Sequence, residues 1–148
     1  MQKAIFNIQN ETDFERCALQ VFKYQFQNNK VYRSFCDLLY IHPSDVKEVN
    51  QIPFLPIQFF KTHQVLSTNQ SVQETFTSSG TTGAQVSKHL VADLSWYETS
   101  YTRAFEHFYG SVKDYTVLGL LPNYLEREGS SLIYMVNDFI HKSNNPKS

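Results

Sequence analysis

Cysteine, glycine, proline and clustered positive charge are all scarce in this sequence. Its 148 residues include only 2 Cys, 5 Gly and 5 Pro. The 13 Lys and Arg residues are scattered along the chain, and the formal net charge is -1. A protein that binds the nucleic-acid backbone needs a concentrated basic face, so no nucleic-acid partner is expected.

Long apolar runs are also missing. The longest, Val117 to Pro122 and Leu132 to Val136, are far shorter than the roughly 20 residues of a transmembrane helix. The N-terminus lacks the apolar centre of a secretion signal. We therefore expect a cytoplasmic protein without a membrane span. Hydrophobic residues make up 41% of the chain and aromatic residues 15%, which is enough for a folded core built largely from rings.

The two cysteines, Cys17 and Cys36, lie in helical patterns rather than in the spacing of a disulfide or a metal site. A free cysteine is usually a small buried hydrophobe, and a reactive thiol is the less frequent alternative. We predict that both are buried thiols.

The length of the chain fits a single domain, 1–148, of the α/β class. A helical lead is predicted over 1–45, and a partial mixed sheet flanked by helices over 50–142. No internal repeat or low-complexity linker divides the chain.

Two helices are predicted in the helical lead. Thr12 and Glu15 match a capping box, and apolar residues then recur at spacings of three and four as far as about Asn28. A second helical pattern runs from Val31 to Leu39 and ends before a His-Pro pair, because the residue before a proline avoids the α region. Both helices are expected to pack in the core rather than to carry chemistry.

Four short segments with apolar and β-branched residues are predicted as strands, namely 64–66, 72–77, 86–91 and 115–121. The last is almost continuously apolar, as expected of a buried strand in a parallel sheet. Two further helices are predicted, one from Leu94 to about Tyr109 and one that begins at Gly129-Ser130-Ser131.

The segment Ile52 to Lys61 sets two prolines among large apolar residues. Pro56 suits the first turn of a short helix that runs to about His63. The segment can be a hydrophobic plug between the helical lead and the sheet, or one wall of an acyl-binding cavity. His63 can be an acid-base group or part of a hydrogen-bonded surface turn. The sequence leaves both pairs of alternatives open.

The stretch Thr77-Ser78-Ser79-Gly80-Thr81-Thr82-Gly83 consists only of Ser, Thr and Gly. Glycine lets the backbone approach a ligand closely, so successive N-H groups can bind an anion, and the hydroxyls add uncharged donors. Lys88 can supply a positive charge. An ordinary surface loop has a similar composition. On composition alone, a phosphate site and a surface loop remain equal alternatives.

A Walker-type phosphate loop leads directly into a helix and ends in Gly-Lys-Ser/Thr. The loop in this chain instead joins two predicted strands and lacks that ending. The ATPase or GTPase interpretation is therefore excluded.

Placed between two strands, Thr75 to Gly83 resembles the phosphate-loop signature of the adenylate-forming superfamily, which includes acyl-CoA synthetases, peptide-synthetase adenylation domains and luciferases. The resemblance implies ATP and Mg²⁺ as cofactors, and a carboxylic acid and a thiol acceptor as substrates. It implies Lys88 as a catalytic residue that neutralises charge. The implied phosphate ligands are Thr77, Ser78, Ser79, Gly80, Thr81, Thr82 and Gly83.

More narrowly, Ile52 to His63 together with Ser87-Lys88-His89 looks like the acyl-protein synthetase (LuxE-like) branch, which activates fatty acids. Leu120 to Arg127 stands where the superfamily has a Leu-Pro motif followed by an aromatic residue and often by His. Tyr124 takes the aromatic position, which implies a place for it in the substrate pocket, and the His is absent.

The resemblance covers most of 50–140 and corresponds to the N-terminal half of an adenylate-forming enzyme. The superfamily's later motifs, with a glutamate that helps to hold Mg²⁺ and a lid lysine, have no counterpart in these residues. We therefore expect this chain alone to be inactive, and to associate with itself or with a complementary C-terminal half. The alternatives are a fragment of an acyl-CoA or aryl-CoA ligase, and a non-catalytic nucleotide-binding or interaction module.

Overall fold

The computed structural model describes residues 2–78, 85–120 and 129–148. Within these ranges the chain forms six α-helices, two 3-10 helices and one two-stranded antiparallel sheet. The helices are α1 (Gln2–Ile5), α2 (Glu11–Asn28), α3 (Lys30–Leu38), α4 (Phe59–Thr62), α5 (Leu94–Tyr109) and α6 (Ser131–Ser143), the 3-10 helices are Val49–Gln51 and Val112–Asp114, and the strands are β1 (Glu74–Thr77) and β2 (Lys88–Val91). No helix in the described ranges is long and apolar enough to cross a membrane.

Helix α2 starts earlier than its sequence pattern predicts. Its N-cap is Asn10, whose Oδ1 accepts a hydrogen bond from the backbone N-H of Asp13 (2.9 Å). The predicted capping box of Thr12 and Glu15 is wrong, because Asn10 already supplies the cap and Thr12 lies inside the first turn. The predicted extent of the helix, to about Asn28, is confirmed.

Asn29 joins α2 to α3 and is buried. Its backbone N-H donates to the carbonyl oxygen of Gln25 (2.8 Å), and its Oδ1 accepts from the N-H of Tyr32 (3.0 Å). Its Nδ2 also donates to Ser67 Oγ (3.2 Å). One side chain therefore starts the second helix and ties the helical lead to the segment that precedes the sheet.

The core of the helical lead is a cluster made of Phe22, Phe26, Tyr32, Cys36 and Val46. Cys17 and Cys36 are buried and free, as predicted. Burial raises the pKa of the Cys36 thiol above its ordinary value. The thiol therefore stays protonated at neutral pH and is a poor nucleophile.

A second cluster forms between α5 and α6 around Tyr101, Val112 and Phe139. Phe76 on β1 reaches towards it, because its ring centroid lies 5.1 Å from that of Tyr97 and 5.6 Å from that of Tyr134. The sheet is thus anchored to α5 and α6 through an aromatic contact.

Two of the four predicted strands are wrong over their described residues. The hairpin strands are confirmed within 72–77 and 86–91, but 64–66 and 115–120 have no strand structure. Leu118 and Leu120 are 77% and 100% exposed, because no neighbouring strand covers them within the described ranges. The sheet in the described ranges has two antiparallel strands, so a mixed sheet with parallel strands stays a prediction.

Candidate active site

Strands β1 and β2 form a hairpin that presents the Ser/Thr/Gly loop. Thr77 pairs with Lys88 at the end of the ladder. Beyond this pair, the Ser78 N-H donates to the carbonyl oxygen of Ser87 (3.1 Å), and the Ser87 N-H donates to Ser78 Oγ (3.0 Å). The prediction that the loop joins two strands is confirmed. The remaining predicted phosphate ligands, Ser79, Gly80, Thr81, Thr82 and Gly83, lie outside the described residues.

Gly129 supports the hairpin on the edge of β1 that faces away from β2. Its carbonyl oxygen accepts a hydrogen bond from the Thr77 N-H (2.8 Å), and its φ is +84°. A Cβ at this position would lie 3.0 Å from Thr77 Oγ1 and 3.2 Å from the carbonyl oxygen of Thr75. Both the backbone conformation and the close approach therefore require glycine. Ser130 caps α6 immediately afterwards, so the hairpin and the start of α6 are fixed together.

A cavity of about 730 Å³ lies beside the hairpin. This volume falls within the roughly 300–1,000 Å³ of typical small-molecule sites. Its apolar wall includes Ile5, Phe6, Ile57, Phe60, Phe76 and Trp96. Polar groups are contributed where the loop begins and ends, by Thr77, Ser78, Ser87 and Lys88. The cavity therefore combines a large apolar wall with polar groups at the base of the loop.

Lys88 is exposed and lines this cavity. It forms no ion pair within residues 2–78, 85–120 and 129–148, so its ammonium group can meet an anion at the base of the loop. His89 also lines the cavity, with its ring centroid 6.2 Å from that of Phe60. The sequence pattern assigned His89 no role of its own.

The structure places His63 away from the cavity lining. Its ring stacks on Phe59 with centroids 5.0 Å apart, and its Nδ1 lies 2.8 Å from Thr62 Oγ1. This favours the surface-turn interpretation of His63 over the acid-base one. Tyr124 lies outside the described residues, and its role in the substrate pocket stays a prediction.

The segment from Ile52 to Lys61 meets both of its interpretations in part. Ile52 and Leu55 pack against the core of the helical lead, and Ile57 and Phe60 line the cavity. The short helix predicted from Pro56 begins later, at Phe59. The Phe59 N-H donates to the carbonyl oxygen of Pro56 (3.0 Å), so Pro56 opens a turn that leads into the helix.

Comparison with protein families decides the affiliation of the chain. A family model described as acyl-protein synthetase, LuxE, matches residues 4–107, well over half of the chain. The chain belongs to the acyl-protein synthetase family. The matched region includes the hairpin, its loop and most of the described cavity wall. Membership of the wider adenylate-forming superfamily stays a prediction.

Two proteins similar to this chain carry the name long-chain-fatty-acid--luciferin-component ligase. The Vibrio harveyi protein is 38% identical over 69 residues, which are 46% of this chain and 18% of the relative. The Photorhabdus luminescens protein is 29% identical over 70 residues, or 47% of this chain and 60% of the relative. The chain thus covers less than two thirds of each relative. No solved structure matches it, so a fold like the N-terminal half of an adenylate-forming enzyme also stays a prediction.

Sequence patterns alone do not identify three residues of this candidate site. Ile5 and Phe6 line the cavity, although they precede the first predicted helix and belong to no motif. The sequence pattern predicts Gly129 only as the start of a helix. A glycine directly before a serine N-cap is visible in the sequence, but no local pattern indicates that Gly129 contacts β1.

Helices α5 and α6 are joined beside the cavity by tyrosine hydroxyl groups. The Tyr97 hydroxyl donates to the carbonyl oxygen of Ser131 (3.0 Å), and the Tyr134 hydroxyl donates to Glu98 Oε1 (2.6 Å). The hydrogen bond to Glu98, together with burial, raises the pKa of Tyr134 to about 12.

This raised pKa predicts a loss of stability at high pH. An unfolded Tyr134 releases its proton near pH 10, whereas the folded one keeps it to about pH 12. The Tyr134 hydroxyl therefore contributes fully to the free energy of unfolding below pH 10. This contribution is lost as the pH rises from about 10 to about 12. Tyr134→Phe should flatten the fall in the free energy of unfolding above pH 10, measured by urea unfolding. Tyr40→Phe, at an almost fully exposed side chain, is the control, and an unchanged slope in Tyr134→Phe would contradict the assignment.

Proposed function

We propose that this chain contributes the phosphate loop and the acyl cavity of a fatty-acid ligase that works through an acyl-adenylate. The observation that carries the proposal is that Ser78 and Lys88, on either side of the loop, line an apolar cavity of about 730 Å³. A fatty acid has the same division into an anionic head and an apolar chain. The family and the names of the two relatives support the same class of substrate.

In the proposed reaction, a carboxylate oxygen of the acid attacks the α-phosphorus of ATP. The bond from that phosphorus to the oxygen bridging to the β-phosphate breaks, and pyrophosphate leaves with the electron pair. A thiolate sulfur then attacks the acyl carbonyl carbon to form a thioester, and AMP leaves. Both reactants of the first step are anions, so the main task of the site is to position them and to neutralise charge.

The described residues fit the phosphates of ATP in their chemistry. Ser78 offers a hydroxyl group and Lys88 an ammonium group at the base of the predicted phosphate loop. A Mg²⁺ ion between the phosphates typically takes only one or two protein carboxylates and keeps several waters. Within the described ranges, no group of three or more His, Cys, Asp or Glu is placed to hold a metal ion. Mg²⁺ enters the proposal through the chemistry of ATP, and no residue of the described ranges is assigned to it.

Fatty-acid-dependent exchange of pyrophosphate into ATP tests the proposal. We expect exchange when the chain is mixed with the C-terminal half of an acyl-protein synthetase, and none from the chain alone. Exchange by the chain alone would contradict the need for a second polypeptide. If the mixture shows no exchange and calorimetry detects neither ATP nor fatty-acid binding, the proposed function is wrong.

The acceptor is tested separately by trapping the activated acyl group with hydroxylamine, with and without coenzyme A. We propose a protein thiol as the acceptor, in line with the family. Consumption of the acyl-adenylate only when coenzyme A is present would instead support the acyl-CoA ligase alternative.

Lys88→Gln should weaken ATP binding roughly tenfold or more, because a hydrogen bond to a charged group contributes about 1.5–3 kcal/mol. Titration calorimetry with ATP measures the change. Lys23→Gln is the matched control, since Lys23 is also exposed but lies on α2 and outside the cavity lining. Equal loss of affinity in both variants would indicate a general effect of charge rather than a contact made by Lys88.

A further inference from the structure

The N-terminal segment forms part of the cavity wall despite its distance from the hairpin in sequence. Ile5 and Phe6 line the cavity, and the ring centroid of Phe6 lies 5.5 Å from that of Trp96, which lines it too. The helix before Phe6 has only four residues. A helix this short is not stable by itself, so contacts with the rest of the protein must hold the segment in place.

Arg103 on α5 makes such a contact from outside the cavity lining. Its Nη1 donates to the carbonyl oxygen of Phe6 (2.8 Å), and its guanidinium carbon lies 5.2 Å from the centroid of the Phe6 ring. Arg103 follows Trp96 by seven residues, about two helical turns, so both side chains lie on the same face of α5. Arg103 thus holds the backbone of Phe6 by a hydrogen bond and its ring by a cation–π contact.

We propose that Phe6, positioned by Arg103, limits the length of the acyl chain that the cavity accepts. The inference rests on the proposed binding of fatty acids. The proposal puts the carboxylate at the polar base of the loop, near Thr77 and Lys88, and the acyl chain against the apolar wall that Phe6 and Trp96 help to form. Each additional buried methylene strengthens binding about fourfold until the chain meets Phe6.

Binding of saturated fatty acids from octanoic to octadecanoic acid tests the inference. Affinities are measured by displacement of fluorescent cis-parinaric acid from the wild-type chain and from variants at Phe6 and Arg103. In Phe6→Ala and Arg103→Met, the acid two methylenes longer than the wild-type optimum should bind about fifteenfold tighter than it binds to the wild-type chain. Shorter acids should bind within twofold of wild type. Phe6→Leu keeps an apolar side chain at the position and serves if Phe6→Ala does not fold.

Two variants separate positioning from a general structural role. Arg103→Lys keeps a donor and a cation, and should restore the wild-type preference for chain length. Arg33→Met is the matched control, because the guanidinium carbon of Arg33 lies 5.2 Å from the Phe26 ring centroid but Arg33 does not line the cavity. It should leave the preference unchanged.

An unchanged optimum in both Phe6→Ala and Arg103→Met, or equal weakening of all acids, would overturn the inference while the proposed function stands. If the wild-type chain binds no acid of any length, the proposed function and the inference are both overturned.

Discussion

Replacement of Gly129 by alanine is expected to lower the free energy of unfolding by roughly 2–4 kcal/mol. An L-residue at φ +84° is strained, and its Cβ would lie 3.0 Å from Thr77 Oγ1 and 3.2 Å from the carbonyl oxygen of Thr75. The carbonyl group belongs to β1, so rotation of a side chain cannot relieve that contact. The strand must shift, and ATP affinity should fall with stability because Thr77 begins the loop. Urea unfolding and titration with ATP measure the two effects.

Gly110→Ala separates backbone strain from crowding. Gly110 has φ +80° and ψ -159°, a conformation nearly restricted to glycine, which costs another residue about 1–3 kcal/mol. Nothing lies within 4 Å of a Cβ built there, and Gly110 does not line the cavity. Both variants should lose stability, but only Gly129→Ala should lose affinity for ATP. Wild-type affinity in Gly129→Ala would contradict the role of Gly129 in supporting the loop.

Phe76→Ala should lower the free energy of unfolding by about 3–5 kcal/mol, and the Tm by on the order of 10 °C. The side chain is 6% exposed, and its ring lies against those of Tyr97 and Tyr134. Its removal leaves a void between the sheet and two helices, and close-packed neighbours fill such a void only in part. Differential scanning calorimetry measures the loss.

Phe108→Ala is the matched control for Phe76→Ala. Phe108 is also a phenylalanine, but it lies near the end of α5 and its side chain is 75% exposed. Its replacement should change the free energy of unfolding by no more than about 0.5 kcal/mol. Comparable losses in the two variants would contradict the burial that the structure assigns to each ring.

Strand β1 lies in the region matched by the family model but is supported by residues C-terminal to that region. The match stops at residue 107, yet β1 receives a hydrogen bond acceptor from Gly129 and an aromatic contact from Tyr134. The hairpin and its loop are therefore supported by the start of α6, which no sequence motif connects to them.

Local chemistry in the sequence is sufficient to predict the main helices, the hairpin and the family. Apolar spacing of three and four residues marks one face of a helix wherever the rest of the chain lies. It therefore predicts α2, α3, α5 and α6 to within a few residues. The Ser/Thr/Gly composition of 77–83 and the strand patterns beside it are equally local. The acyl-protein synthetase resemblance rests on two further local stretches, Ile52 to His63 and Ser87-Lys88-His89, and the family match confirms it.

Tertiary structure alone decides which apolar segments become strands and which residues build the cavity. A strand needs a partner, and the apolar run at 115–120 finds none within the described ranges, which leaves Leu120 fully exposed. The cavity wall likewise depends on contacts between distant parts of the chain. Phe6 meets Trp96 and Arg103 across about ninety residues of sequence, and no periodicity encodes such a contact, because it arises only when α5 and the N-terminal segment pack together.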